Sequence, residues 1–424
     1  MLPAKCIMRQ NKITFIDLFA GCGGLSEGFL QTGKYEALAH VEWEMPMVNT
    51  LRNRLVTKWG HKPDVAVKKV IHFDIQKTEE LINGSWNPDT TSLYSKTNHQ
   101  TIINNGLKGL IGGKKLNLII GGPPCQAYSI AGRAQDKNSM KNDYRNFLFE
   151  SFVKVVKEFE PDAFVFENVP GLLSACPGDM PVTNRIYNAF KQIGYEIRTP
   201  DLLQRSVYTA SDFGVPQKRN RVIIIGVRSS SKINLESLYT EISLLQNIFE
   251  AKNVRDAISH LPRFEPLKTQ LKQGGANVSH KLIGAKIIKF HDARFHNARD
   301  IAIFTKWIKN DMNKSTTEDK IAFYNKLIGK ASNHAKYRNL VWNKPSPTIV
   351  AHLYKDGLMF IHPDVEQARS ITVKEASLLQ SFPDDYEFIG SQGHCFKMIG
   401  NAVPPEMAKK IADAISTGLR KNEF

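Results

Sequence analysis

The chain has 424 residues, of which 42% are hydrophobic, enough for one large domain with an insertion or for two domains. No apolar run approaches membrane-spanning length, no signal-like segment opens the chain, and five scattered cysteines form no C-x-x-C pair, which predicts a soluble protein of a reducing cytosol. The charge of +16 is uneven: residues 251–344 hold 19 Lys and Arg against 7 Asp and Glu, which indicates either a polyanion partner such as nucleic acid or a solvated basic surface.

The chain opens with a predicted strand, glycine turn and helix. Residues 13–19 are mostly apolar, a turn follows at 20–24, and residues 25–30 have a helical pattern. Glycines in such a turn let the backbone approach a nucleotide-like ligand. A dinucleotide fingerprint would place a third glycine where Ser26 stands, so the pattern suits a ligand with an adenosine and no pyrophosphate.

Acidic residues follow the next two predicted strands. A strand at 36–41 ends in Glu42 and Trp43. An acidic residue about 20 positions after the glycine turn suits ribose hydroxyls, and Trp43 could stack on adenine or lie half-buried on the sheet. A strand predicted at 65–73 precedes Asp74, which could accept a hydrogen bond from an adenine amino group or cap a helix.

A polar segment then leads to a rigid turn. Residues 84–113 are rich in Asn, Thr, Ser and Gly, which predicts an irregular surface insertion. The apolar strand predicted at 116–120 ends in two glycines and two prolines, which hold Cys125. A thiol at this edge of an α/β sheet is either a nucleophile or a small buried cysteine beside a turn.

Basic and acidic side chains follow Cys125. The loop at 132–146 contains four basic residues and precedes a helix predicted at 147–159, as a mobile lid over an anionic substrate would. Glu167 ends an apolar strand, where a carboxylate either performs acid–base chemistry or caps a turn. Arg219 and Arg221 alternate before a strand, as two guanidiniums facing phosphate or substrate, or as part of a solvated basic turn.

The alternation of strands and helices is lost between about residues 229 and 339, which predicts an inserted lobe. None of its histidines has metal-ligand spacing with a second histidine. The α/β pattern resumes near residue 337, with a capping box of Thr372 and Glu375, and ends in a helix from Pro405.

In their order, the motifs resemble those of DNA (cytosine-5)-methyltransferases of the bacterial and phage restriction–modification type. The segments that carry the resemblance are 17–24, 123–125, 167–169, 217–221 and 400–403. The resemblance implies an α/β, Rossmann-like domain that depends on S-adenosylmethionine, with an inserted, smaller target-recognition domain. It places the catalytic domain at 1–228, the target-recognition domain at 229–336 and the return of the catalytic domain at 337–424. It also implies that the sheet takes back the carboxy-terminal helix, so that Asn401 lies near the glycine turn.

The resemblance also implies the site residues. Those expected to bind S-adenosylmethionine, and its product S-adenosylhomocysteine, are Asp17, Phe19, Gly21, Gly23, Gly24, Glu42, Trp43, Asp74, Ile75, Pro123, Leu148, Asn401 and Val403. Those expected to act in catalysis are Cys125, Glu167, Arg219 and Arg221. Those expected to contact DNA are Ser129, Arg133, Arg145 and Gln217. No metal is expected.

The chemistry needs these residue types. A Cys125 thiolate adding to C6 of cytosine makes C5 nucleophilic, and Glu167 would protonate or hydrogen-bond N3. Arg219 would hold the base and the glutamate, with Arg221 near O2 and the phosphate. An ordered water is expected to take the C5 proton. The cytosine must first be flipped out of the duplex.

The expected partner is double-stranded DNA, with a restriction endonuclease that acts on the same site. The chain is expected to be a monomer in the prokaryotic cytoplasm, at the nucleoid, without contact with a membrane. The alternatives are an RNA cytosine-5 methyltransferase, a catalytically silent DNA-binding regulator and, on the glycine turn alone, a nicotinamide oxidoreductase. The sequence does not reveal the DNA target.

Overall fold

A computed structural model describes residues 11–124, 148–248, 250–329, 331–355 and 357–420. The chain divides into two compact units. The first unit comprises Met1–Tyr208, Asn220–Leu245 and Ala408–Phe424, and the second comprises Thr209–Arg219 and Gln246–Met407. The segment predicted to recognise the DNA target, 229–336, therefore begins in the first unit and lies otherwise in the second.

Twelve strands occur in the described residues. In chain order they are β1 (Ile13–Leu18), β2 (Tyr35–Glu42), β3 (Val70–His72), β4 (Leu118–Gly121), β5 (Ala163–Asn168), β6 (Tyr195–Ile197), β7 (Val207–Thr209), β8 (Gln217–Lys218), β9 (Asn220–Arg228), β10 (Phe264–Gln273), β11 (Ala276–Leu282) and β12 (Ser346–Pro347). The central sheet has the order β3-β2-β1-β4-β5-β9-β6, with β7 paired to β9. Its first five strands are parallel, and β9 is antiparallel to both β5 and β6.

The described α-helices, in chain order, are α1 (Gly24–Gln31), α2 (Met45–Thr57), α3 (Pro63–Lys69), α4 (Thr78–Asn83), α5 (Pro88–Tyr94), α6 (Gln100–Ile111), α7 (Leu148–Phe159), α8 (Val182–Gln192), α9 (Leu235–Leu244), α10 (Val254–Ile258), α11 (Ala298–Lys309), α12 (Thr317–Ile328), α13 (Val373–Leu379), α14 (Gln392–Asn401) and α15 (Pro405–Arg420). In the part of the chain that the structure describes, no helix is long and apolar enough to span a bilayer.

Continuous apolar runs place the central strands inside the sheet. Leu118, Ile119 and Ile120 of β4 are all 0% exposed, as expected for a parallel strand with both faces covered. On one face, Phe152 of α7 packs edge-on against Phe166 of β5, with 5.3 Å between ring centroids. Each such buried side chain contributes about 1.5–3 kcal/mol. The α/β fold predicted from the sequence is confirmed.

The last helix returns to the sheet, as the resemblance implied. Within the first unit, the hydroxyl of Tyr35 on β2 donates to the carbonyl oxygen of Ala412 on α15 at 2.7 Å, and both groups are buried. Beside it, Lys34 forms an ion pair with Asp413, also at 2.7 Å.

Two predictions of secondary structure were wrong. The strand predicted at 65–73 begins as helix α3, because Pro63 at its first position and Asp64 in its first turn are helix-start signals that outweigh the valines. Only β3 remains as a strand. The segment 84–113 is not irregular, since it contains α5 and α6, and the Asn87 side chain caps α5 by accepting from the Thr90 N–H.

The second unit has a hairpin and several helices. Strands β10 and β11 pair Gln273 with Ala276 around Gly274 and Gly275, which both have positive φ, as a two-residue hairpin turn requires. Helix α11 packs Trp307, which is 0% exposed, in an aromatic core. Helix α13 has the predicted capping box in full.

Candidate active site

The turn after β4 is shaped by the neighbouring strand β5. A Cβ atom on Gly122 would lie 2.6 Å from Oε2 of Glu167, so a side chain at this position would push the carboxyl group away. The Asn168 side-chain amide donates to the Pro123 carbonyl oxygen at 3.2 Å and is buried. Strand β5 therefore holds the turn that precedes the predicted nucleophile. Four predicted site residues lie outside the described part of the chain: Cys125, Ser129, Arg133 and Arg145.

Glu167 forms an ion pair with Arg221, through Oε1 and Nε. Both residues are 8% exposed. Because β9 is antiparallel to β5 and pairs Val222 with Asn168, the start of β9 meets the end of β5. Arg221 also donates from Nη1 to the Asn220 carbonyl oxygen at 2.8 Å. The result is a nearly buried carboxyl group, held by a guanidinium next to the turn after β4.

Arg219 is buried and bonds to main-chain carbonyl groups. It is 1% exposed, and it donates from Nη1 to the Ile349 carbonyl oxygen at 2.8 Å and from Nη2 to the Gly400 carbonyl oxygen at 3.0 Å. Arg221 contacts Glu167, and the predicted contact between Arg219 and the glutamate stays a prediction. Arg219 joins main-chain segments of the second unit.

Gln217 lies inside the second unit and is 0% exposed. Its amide nitrogen donates to Gln380 Oε1 and to the Leu379 carbonyl oxygen, and its Oε1 accepts from the Ile349 N–H at 2.9 Å. Gln380 in turn donates to the Ala402 carbonyl oxygen at 2.6 Å. A contact between Gln217 and DNA, as predicted, would require these bonds to open.

The glycine turn after β1 adopts an unusual backbone conformation. Phe19 has a φ of 59°, rare for a bulky residue, and Gly21 and Gly23 have φ of 58° and 88°. Helix α1 then begins at Gly24. Strain of this kind is typical of ligand-binding turns. The structure thus confirms the strand, turn and helix that the sequence predicts here.

Glu42 connects this turn to the end of β2. Its Oε2 accepts from the Gly21 N–H, and its Oε1 accepts from the N–H groups of Trp43 and Glu44, all at 2.8 Å. Burial raises the pKa of Glu42 to about 7, although these three backbone donors act in the opposite direction. The predicted ribose-binding carboxyl group is therefore fixed in place and titrates near neutral pH.

Asp17 lies beneath the turn and is 1% exposed. Burial raises its pKa, while His40 and a hydrogen bond from Ser26 lower it. Its Oδ2 is 3.8 Å from Nδ1 of His40, which is also buried. Asp17 therefore belongs to the interior below the predicted cofactor turn.

The predicted adenine-binding residues follow β2 and β3. Trp43 is 54% exposed, in contrast to most large side chains of the first unit. Asp74 accepts from the backbone N–H of Gln76 at 3.0 Å, and Ile75 is 5% exposed in the core. Trp43 thus presents an open aromatic surface.

The remaining predicted residues are divided between the units. Leu148 begins α7 in the core of the first unit. In the second unit, Asn401 is the exposed last residue of α14 and Val403 is buried. A Cβ atom on Gly400 would lie 2.4 Å from the Ala351 nitrogen, so glycine lets α14 pack closely on this segment. The proximity of Asn401 to the glycine turn stays a prediction.

The role of Asn168 was not predicted, although a polar residue at the end of an apolar strand was a signal for it. Gly122 was likewise given no role beside Glu167. Within the described ranges, no three His, Cys, Asp or Glu side chains cluster as metal ligands would.

A family model and the sequences and structures of known proteins all match this chain to methyltransferases. The family model described as C-5 cytosine-specific DNA methylase matches residues 13–85 and 71–417. The type II methyltransferase M.Bpa9945I of Bacillus paralicheniformis is 35% identical, over 94% of this chain and 98% of its own. The type II methyltransferase M1.HphI of Haemophilus parahaemolyticus is 30% identical, over 97% and 89%. The S. pombe Dnmt2 methyltransferase structure is 12% identical with a TM-score of 0.54, over 97% of this chain and 100% of its own, which shows a shared fold.

Proposed function

The chain belongs to the C-5 cytosine-specific DNA methylase family, and from its geometry we propose how it acts as a DNA cytosine-5 methyltransferase that uses S-adenosylmethionine. The target is a cytosine flipped out of double-stranded DNA. The nucleophile is Cys125, which adds to C6 of that base.

The described residues at the glycine turn suit an adenosine-bearing ligand. A Cβ atom on Gly21 would meet nothing within 4 Å, so the backbone there is open to a ligand. Glu42 would accept hydrogen bonds from the ribose hydroxyls, and Trp43 would stack on adenine, with Asp74 and Ile75 at the adenine edge. When bound, S-adenosylmethionine supplies an electrophilic methyl group.

We assign the covalent step to Cys125. Its thiolate forms a bond from Sγ to C6, and the electron pair of the C5–C6 double bond moves to C5 and, through C4, toward N3, which makes C5 nucleophilic. After C5 has taken the methyl group it loses its proton, and the Sγ–C6 bond breaks to release the thiolate and restore the double bond. An ordered water is our candidate for the acceptor of the C5 proton.

The observation that carries the proposal is the Glu167–Arg221 ion pair against the turn before Cys125. A carboxyl group there can hydrogen-bond or protonate N3 of a cytosine bound at Cys125, which offsets the negative charge that thiolate addition creates. Arg221 keeps the carboxyl group oriented and would reach O2 of the base. Arg219 would support the site by holding Gly400 next to Asn401.

Flipping costs a few kcal/mol, which contacts with DNA must offset. Ser129, Arg133 and Arg145 are candidates for these contacts on sequence grounds alone. The basic segment within 229–336 would supply salt-dependent phosphate contacts and the base contacts that select the target. We propose that the protein acts as a monomer at the prokaryotic nucleoid, in the cytoplasm, with a restriction endonuclease of the same specificity.

The test is bisulfite sequencing of DNA from cells that express the chain, beside cells that express Cys125→Ala. We expect methylated cytosines in one short recurring context, absent in the variant. The purified protein is also offered duplex DNA and tRNA with labelled cofactor. Label in tRNA alone would replace DNA with RNA as the substrate, and methylation retained by Cys125→Ala would reject the proposed nucleophile.

A further inference from the structure

The segment 84–113, which the proposed mechanism does not use, is attached to the edge of the central sheet. Strand β3 lies at one edge of the central sheet, and among the described residues no strand pairs with its outer side. The Asn98 side chain takes the place of one. Its Oδ1 accepts from the His72 N–H at 3.0 Å, and its Nδ2 donates to the His72 carbonyl oxygen at 2.8 Å.

Arg52 strengthens the same attachment. Its Nη2 donates to the carbonyl oxygens of Val70 on β3, at 2.6 Å, and of Thr97 in the segment, at 2.7 Å. Tyr94 packs edge-on against the His72 ring, with 5.2 Å between centroids. Three side chains thus hold the segment and β3 together around His72.

The imidazole of His72 connects this segment to Trp43. Its Nε2 lies 2.9 Å from the Trp43 carbonyl oxygen, and its Nδ1 lies 2.9 Å from Thr97 Oγ1. A carbonyl oxygen can only accept, so Nε2 carries a proton and donates it. Burial and the neighbouring charge of Arg52 lower the pKa of His72, which favours the neutral ring. In the neutral ring Nδ1 can then accept from the Thr97 hydroxyl, whose single proton is shared with the Tyr94 carbonyl oxygen at 3.0 Å.

Both main-chain polar groups of Trp43 are therefore held by side chains. Its N–H donates to Glu42 and its carbonyl oxygen accepts from His72, while its ring remains 54% exposed. A large apolar ring held open to solvent has no evident structural use, but it suits a planar ligand. Restricting its backbone before the ligand arrives reduces the entropy lost on binding.

We propose that His72 is a positioning residue: it holds Trp43 in place to stack on the adenine of S-adenosylmethionine. Thr97 and Asn98 hold His72 in turn. The segment 84–113 then stabilises the adenine side of the cofactor pocket. This inference rests on the proposed role of Trp43.

The test measures the dissociation constant of S-adenosylhomocysteine for the full chain by titration calorimetry. His72→Leu should weaken binding about tenfold, the effect of one hydrogen bond, and Thr97→Val about threefold. Thr91→Val is the matched control, because its hydroxyl donates to the Trp86 carbonyl oxygen in the same segment without reaching His72. It should change binding less than twofold. His72→Gln, which can still donate to the Trp43 carbonyl oxygen, should restore most of the affinity.

A double-mutant cycle with Trp43→Ala separates positioning from a general loss of structure. In that background His72→Leu should have almost no further effect, because its target is gone. An equal loss with and without Trp43, or unchanged binding by both His72→Leu and Thr97→Val, would overturn the inference. If His72→Leu does not fold, Thr97→Val decides the matter, since it keeps the side-chain shape. Wild-type protein that neither binds the ligand nor methylates DNA would reject the proposed function itself.

Discussion

Buried arginine–glutamate pairs occur in both units. The Arg369–Glu375 pair of the second unit and the Arg221–Glu167 pair of the first differ in how many hydrogen bonds their side chains make. In the second unit, Arg369 holds Glu375 through two bonds of 2.7 and 2.6 Å, and these residues are 0% and 1% exposed. Arg369 also donates to Gln367 and to the Ser370 carbonyl oxygen, while Glu375 accepts from the Thr372 N–H. This network has little capacity left for a ligand.

The Glu167–Arg221 pair makes fewer hydrogen bonds than the Arg369–Glu375 pair and than Arg54–Glu27, which also lies in the first unit. Glu167 and Arg221 meet through one contact and are each 8% exposed. Within the described residues, the Glu167 carboxyl group contacts no other hydrogen-bond donor. A buried carboxyl group whose described partners leave acceptor capacity unused is costly for stability alone but useful for holding a substrate. We therefore expect Arg369–Glu375 to matter mainly for stability and Glu167–Arg221 mainly for methyl transfer.

The largest effect on stability is expected from Arg369→Ala. Removal of one partner leaves Glu375 buried without its cation, which costs about 3–5 kcal/mol. Urea unfolding measures this loss. The control is Arg263→Ala, which breaks an ion pair with Asp364 but removes a side chain that is 57% exposed, and it should cost about 0–1 kcal/mol. Equal effects of the two variants would show that the buried network does not stabilise the second unit.

Glu167→Gln should reduce methyl transfer strongly and stability only slightly, the opposite of what we expect for Arg369→Ala. The amide keeps the shape but can neither donate a proton as an acid nor carry the charge, so methyl transfer in a single turnover should fall by about 10²–10⁴-fold. The free energy of unfolding should change by only about 1 kcal/mol. Loss of stability comparable to that of Arg369→Ala, with methyl transfer retained, would make Glu167 a structural residue.

A smaller loss is expected from Gly122→Ala. The new methyl group would lie 2.6 Å from Glu167 Oε2, so the carboxyl group must turn away from the turn or from Arg221. We expect methyl transfer to fall by about 10–100-fold, since a displaced group of this kind loses alignment. In the control Gly393→Ala, the added Cβ meets only Ser391 Oγ at 3.8 Å, and activity should stay within about twofold. Similar losses of activity in both variants would show that the close approach of Gly122 to Glu167 is unimportant.

The sequence predicted the features that depend on local signals. Strand, glycine turn and helix follow from neighbouring residues, as does the capping box of α13. The roles of Arg219 and Arg221 could not be predicted this way, because alternation holds only within one strand. Arg219 lies between β8 and β9, which belong to different sheets, so strand alternation does not relate the two side chains. Which of them meets Glu167 depends on the antiparallel pairing of β9 with β5, a long-range contact.

The segment 84–113 was misassigned for a different reason. Its composition is typical of loops, but α6 buries Ile102 before and Leu107 and Ile111 after a non-helical residue, Gly106. The four-residue spacing of Leu107 and Ile111 was the available signal. The attachment of the segment to β3 through Asn98 could not be predicted, because it joins a side chain to a distant main chain.

The smallest expected effect is the pH dependence of cofactor affinity, which we attribute to Glu42. This is a third carboxyl group to compare with Glu375 and Glu167. Burial would raise the pKa of Glu375 as well, but the charge and hydrogen bonds of Arg369 hold it well below its ordinary value. Glu375 therefore contributes stability that is present near neutral pH and is lost as the pH falls. The pKa of Glu42 is raised from 4.5 to about 7, so its contribution to stability is present below pH 4.5 and is lost as the pH rises through 7.

In contrast to this contribution to stability, the affinity for the ligand should rise as Glu42 ionises. A carboxylate accepts hydrogen bonds from ribose hydroxyls more strongly than a neutral carboxyl group does. The affinity for S-adenosylhomocysteine should increase about three- to tenfold between pH 6 and pH 8, as measured by calorimetry in matched buffers. Glu42→Gln cannot ionise, so it should bind more weakly with a flat profile. The same slope in wild type and variant would assign the titration to another group. A flat profile in both would mean that the charge of Glu42 plays no part in holding the cofactor, since its ionisation in this range would then leave binding unchanged.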